Sequence, residues 1–118
     1  MKQLTKTITQ FRDERGWKTN LHPKDIAISI SLEANELLEN FQWRSSEEAI
    51  DESRQNIKEE MADVLIYLLQ LADSMGVDLE EEAYKKMEKN ALKYPVPQQS
   101  EISISKSEDL IITGIKGN

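Results

Sequence analysis

The stretch from Ile57 to Met75 is apolar on nearly every side, and this constrains the fold more than any other feature. At about 100° per residue, Met61, Val64, Leu68, Leu71 and Met75 form one stripe. Ile66 and Leu69 point the other way, and Leu65 lies between. A helix apolar nearly all round must be covered on more than one side. A chain of 118 residues has room for one domain and one core. The simplest second cover is another copy, so a homo-oligomer, dimer or tetramer, is expected. The alternative is a central helix wrapped by its own neighbours.

Three more helical segments can be read around this one. The first spans about Lys2 to Arg15, with Leu4, Ile8 and Phe11 on one stripe, and stops before Gly16. The loop Gly16 to His22 carries Trp17, Asn20 and His22. Pro23 suits the first position of a second helix, which runs to about Gln42 and buries Ile26, Ile30, Ala34, Leu37 and Phe41. Ser45 and Glu48 make a capping box for the third helix, whose polar first half is expected to be poorly ordered. Gly76 is a good residue just past its end. Asp78 caps a fourth helix, about Leu79 to Lys93, which Pro95 and Pro97 terminate. The expectation is an all-α, four-helix bundle over residues 1–97. The tail 98–118, rich in Ser, Ile and Gly, is left open between a short strand, a docking segment and no fixed structure.

Charged residues make up 31% of the chain and the net charge is −7, which argues against a nucleic-acid binder with its basic stripe. The absence of Cys rules out disulfides and thiolate metal sites and suits a reducing, cytoplasmic setting. Met1 to Gln10 alternates polar and apolar residues, unlike a signal peptide, and the longest apolar run, Val64 to Leu69, is too short to span a bilayer. No membrane partner is expected.

Two acidic pairs stand among these apolar positions: Glu33 with Glu36, and Glu60 with Asp63. Spacing of i, i+3 puts the members of each pair on one helix face. Any one of them alone is an ordinary solvated acid, as most helical acids are. Two antiparallel helices that each offer such a pair can instead converge on one point. Four carboxylates near a core repel one another and lose hydration, and a divalent cation offsets that cost.

Helical di-iron sites need Glu-x-x-His pairs, and the single histidine, His22, lies in a loop. An all-oxygen site suits Mg²⁺, or Mn²⁺ in its place. Four acids exceed the charge of one such ion, so two or more ions are plausible. Bound metal would also let a protein of negative net charge accept a polyanion such as a phosphate. Lys86, Asn90 and Lys93, at i, i+4, i+7, offer a complementary face, though a lysine stripe on a last helix is commonly solvated. Trp17, Trp43 and Tyr67 could hold a base but are more often packing residues. His22 before Pro23 is a cap or a base contact.

Taken together these residues resemble the all-α, MazG-like nucleoside triphosphate pyrophosphohydrolases, and among them the dCTP pyrophosphatase branch. That family's pattern is Glu-x-x-Glu, a spacer, then Glu-x-x-Asp. Here it reads Glu33-Ala34-Asn35-Glu36 and Glu60-Met61-Ala62-Asp63 across 23 residues. The likeness also takes in Phe11 to Trp17, Phe41-Gln42-Trp43, Asp63 to Leu68, and Lys86-Met87-x-x-Asn90-x-x-Lys93-Tyr94-Pro95-Val96. It covers roughly residues 4 to 97.

The resemblance implies hydrolysis of a nucleoside triphosphate, dCTP or a modified dCTP, to the monophosphate and pyrophosphate with Mg²⁺, in the service of cleansing the nucleotide pool. By it, Glu33, Glu36, Glu60 and Asp63 would ligate metal and carry catalysis. Lys86, Asn90 and Lys93 would hold phosphates, with Tyr94 beside them in the motif. His22, Trp17, Trp43 and Tyr67 would frame the base, partly across a subunit boundary. Two positions depart from the pattern: Lys93 stands where relatives often carry Arg, weakening bidentate phosphate contact, and Asn35 replaces a frequent Gly. Two other readings are a dUTP-directed activity and a non-catalytic helical interaction module whose acids are only surface.

Overall fold

A computed structural model describes residues 1–17 and 22–97. The readings placed on Asn20 and on the tail 98–118 lie outside them. Four helices account for the regular structure: α1 (Lys2–Glu14), α2 (Pro23–Glu39), α3 (Ser46–Ser74) and α4 (Leu79–Lys93). No strand occurs among the described residues, so the all-α expectation holds. The chain divides into two compact units, one of Met1–Leu79 and a second from Glu80 onward.

Helix ends follow local chemistry. Gly16 and Gly76 adopt φ of 69° and 67°, where a side chain would be strained. Past α1, the Gly16 N–H donates to Asp13 O and the Trp17 N–H to Arg12 O, both at 3.1 Å. Past α3, Gly76 donates to Asp73 O at 3.1 Å and Val77 to Ala72 O at 2.8 Å. Both are Schellman closures. The capping box is complete: the Ser45 N–H donates to Glu48 Oε1 at 2.8 Å, and the Glu48 N–H donates to Ser45 Oγ at 3.1 Å.

Within the first unit, α2 and α3 share the main interface and α1 packs on α3 more lightly. Ile26 of α2, Ile57, Leu69 and Ala72 of α3, and Ile8 of α1 are buried there. Arg12 Nη1 and Asp73 Oδ2, 4.0 Å apart, also tie α1 to α3. Two details differ from the sequence reading. The polar first half of α3 is helical from Ser46, and the helix kinks at Ser53 (φ −125°, ψ 25°). Arg44 braces that kink, donating from Nη1 to Glu52 Oε1 and from Nη2 to Ser53 Oγ, each at 3.1 Å.

The second difference is the end of α2. It stops at Glu39, not Gln42, because backbone pairing tightens to i→i+3: Asn40 to Leu37, Phe41 to Leu38 and Gln42 to Glu39. Trp43 then takes φ 63°. On α3, Leu69 is 2% exposed, whereas Met61 and Met75, on the other stripe, are 50% and 62% exposed. This chain alone covers the Leu69–Ala72 side. No helix among the described residues is long and apolar enough to cross a membrane.

Candidate functional site

The α2–α3 interface brings the two acidic pairs together. Glu33, Glu36 and Glu60 each present a carboxylate oxygen, and the three oxygens lie within 4.8 Å of one another. Asp63 completes the group through Glu33, whose side chain hydrogen-bonds with those of both Glu36 and Asp63. Glu33, Glu60 and Asp63 are partly buried and Glu36 is exposed, so the cluster opens to solvent along the Glu36 side.

Crowding of like charge shows in the titration of these groups. The Glu33 carboxyl is raised from 4.5 to about 7, first by its hydrogen bond with Glu36, then by burial and by the charges of Glu36 and Asp63. Glu60 is also raised, chiefly by burial and then by Glu36 and Asp63. Glu59 and Glu39 add to that push. These two acids fall outside the motif; Glu39, one helical turn past Glu36, could have been found by extending the i, i+3 series.

One oxygen gives the group its direction. Glu60 Oε2 is buried and has no hydrogen-bond partner, a costly condition for a carboxylate. The donor set therefore fits a divalent cation on three counts: all ligands are oxygens, no ion pair to them occurs among the described residues, and one buried lone-pair site is unused. Mg²⁺ holds oxygens at about 2.1 Å, so two ligands of one ion stand at most about 4.2 Å apart. Oxygens already within 4.8 Å reach that spacing by small side-chain rotations.

The remaining sequence candidates are distributed as follows. Tyr67 lies on α3 one turn after Asp63 and is partly buried. His22 occupies the N-cap position of α2, but its side chain makes no capping bond. Trp17 packs edge-on against Phe11, with ring centroids 5.9 Å apart. Trp43 is 98% exposed. On α4, Lys86, Asn90 and Lys93 share a face by their spacing. The Tyr94 N–H donates to Asn90 O at 2.8 Å, and Lys93 Nζ lies 5.3 Å from the centre of the Tyr94 ring. A cavity of about 290 Å³ between α1 and the end of α3, lined by Thr5, Leu69, Ala72 and Val77 among others, includes none of the four acids.

The chain is similar to known proteins. The model of the MazG-like family matches residues 28–110, which contain both acidic motifs. The chain is 34% identical over 101 residues to dCTP pyrophosphatase 1 of Mus musculus and 32% identical over 100 residues to that of Homo sapiens. Those alignments cover 81% and 80% of this chain and 59% of each relative, so the chain spans less than two thirds of their length. A crystal structure of a pyrophosphatase from Archaeoglobus fulgidus superposes with a TM-score of 0.77 at 47% identity, covering 81% of this chain and 93% of that one. With most of its length matched by the family model and a closely superposing solved relative, the chain belongs to the MazG-like family.

Proposed function

We propose that this chain hydrolyses a nucleoside triphosphate, dCTP or a modified dCTP, to the monophosphate and pyrophosphate, with Mg²⁺ (or Mn²⁺) held by Glu33, Glu36, Glu60 and Asp63. The observation that carries the reading is the convergence of carboxylates from α2 and α3 around the unpartnered Glu60 Oε2. The names of the relatives, dCTP pyrophosphatase 1 and pyrophosphatase, support the reaction class.

When bound, the metal supplies Lewis-acid polarisation of phosphoryl oxygens and lowers the pKa of a coordinated water. The chain's own residues do the rest. A carboxylate oxygen of the cluster takes the proton of a water whose oxygen attacks the α-phosphorus. The bond from that phosphorus to the bridging oxygen breaks, and pyrophosphate leaves with the bond's electron pair. No covalent enzyme intermediate is needed. Lys86, Asn90 and Lys93 are assigned to the phosphates, with Tyr94 beside them. Trp17, His22, Trp43 and Tyr67 are assigned to the base. The full exposure of Trp43 in one chain suits a residue that finds its partner elsewhere.

A homo-oligomer is part of this reading. Ile28 and Leu32 of α2 and Met61 and Met75 of α3 stand 49% to 62% exposed, and apolar surface of that kind favours association. Sedimentation of the purified chain tests it, a dimer or tetramer being expected and a monomer at all concentrations contradicting it. The activity is tested by incubating the chain with dCTP, the other dNTPs, dUTP and 5-modified dCTP. Turnover fastest on dUTP would move the substrate, and no turnover on any would leave a helical interaction module.

A further inference from the structure

The end of α2 contains a buried polar side chain that the proposed reaction does not use. Asn40 is 8% exposed, in a class of side chain that seldom sits inside without a task. Its Nδ2 donates to Glu36 O and to Leu37 O, both at 3.3 Å. The last carbonyls of a helix lack intrahelical partners. Here the backbone beyond Asn40 has already turned to i→i+3 pairing, a tighter and poorer geometry. The Asn40 amide is thus the side-chain brace of the final turn, and one of the two carbonyls it grips belongs to Glu36.

That residue is the exposed member of the carboxylate group and also its link between neighbours. A Glu36 carboxylate oxygen lies within 4.8 Å of oxygens of both Glu33 and Glu60. A carboxylate reaches a metal accurately only if its backbone is fixed, and residues behind metal ligands govern affinity for that reason. Beside Glu36, the exposed Asn35 donates from Nδ2 to Glu39 Oε2 at 3.5 Å, so its amide does not reach the Glu36 carbonyl that Asn40 holds. Trp43 itself takes a positive φ of 63°, so backbone strain sits three residues beyond Asn40.

We propose that Asn40 is a positioning residue, whose amide holds the last turn of α2 so that the Glu36 carboxylate meets the cluster in a metal-binding geometry. This rests on the metal-centre reading above. The test uses Mn²⁺ binding to the nucleotide-free chain, by the loss of the free-ion EPR signal, with thermal unfolding in EDTA run in parallel. Asn40→Leu keeps the side chain's shape and removes its donors; Asn40→Ser is a milder variant that retains one hydroxyl donor. Asn40→Leu is expected to weaken Mn²⁺ binding about tenfold, with Asn40→Ser between it and the unsubstituted chain. Wild-type Mn²⁺ affinity in either folded variant, with only the EDTA melting temperature lowered, would reduce Asn40 to a helix cap and overturn the proposal. Should Asn40→Leu fail to fold, Asn40→Ser decides alone. If the unsubstituted chain binds no Mn²⁺, the metal-centre reading itself has failed; if it binds and Glu36→Gln does not, that reading stands and only the Asn40 role is at issue.

Discussion

Glu33 on α2 and Glu60 on α3 hold carboxylate oxygens within 4.8 Å of each other; a hydrogen bond with Glu36 and then burial raise Glu33, and burial and then the charge of Glu36 raise Glu60. Two helices that are otherwise joined by apolar packing meet here through mutually repelling groups. Such a contact lowers stability in the absence of a cation and becomes favourable when one binds.

Replacing Glu60 by Gln should separate stability from function. Without the charge, repulsion at the cluster falls, and an amide can donate where Glu60 Oε2 finds no partner. The variant is expected to melt at a higher temperature than the unsubstituted chain in EDTA and to lose the rise that Mg²⁺ gives. Differential scanning calorimetry with and without Mg²⁺ checks both. A lower melting temperature in EDTA would contradict the crowding argument.

The pH dependence of the metal-free chain follows from Glu33. Its folded-state value of about 7 lies above the ordinary 4.5, so between these values the folded chain binds more protons than the unfolded one. Its contribution to stability is therefore fully present below about pH 4.5 and is lost as pH rises through about 7. Melting in EDTA should fall from about pH 5 to about pH 8. General repulsion at a net charge of −7 acts in the same direction, and Glu33→Gln isolates the cluster's share by flattening the slope.

Catalysis should fail more sharply than folding when the motif is cut. Glu36→Ala and Asp63→Ala each are expected to abolish turnover while circular dichroism keeps its helical signal. Retained activity in both would sink the metal assignment.

Packing and capping give the stability scale. Ile26 is 2% exposed in the α2–α3 interface, and Ile26→Ala should cost about 2–5 kcal/mol. Ser45→Ala removes the cap of α3 and should cost about 1 kcal/mol. Urea unfolding measures both, and equal losses would mean that the interface is less well packed than its burial implies.

Much of this frame can be read from residues that act locally. Gly16, Pro23, the Ser45–Glu48 pair and Gly76 set helix ends through bonds within a few residues, so their positions hold. The end of α2 is not legible in the sequence, because Asn40-Phe41-Gln42-Trp43 contains no Gly or Pro to mark the turn. Its cause is the buried Asn40 amide and a tryptophan at φ 63°. The helical wheel of α3 shows apolar faces on more than one side but leaves open which of them this chain covers, since the placement of α1 and α2 decides that. The acidic pairs were legible because i, i+3 spacing guarantees a shared face. Their convergence, and the addition of Glu39 and Glu59 to the local charge, depends on how two helices pack and is visible only in three dimensions.

The most direct measurement is product analysis of the purified chain with dCTP, with and without Mg²⁺. The account predicts dCMP and pyrophosphate in equal amounts, appearing only with the metal. Orthophosphate and dCDP, or products formed equally well in EDTA, would contradict it.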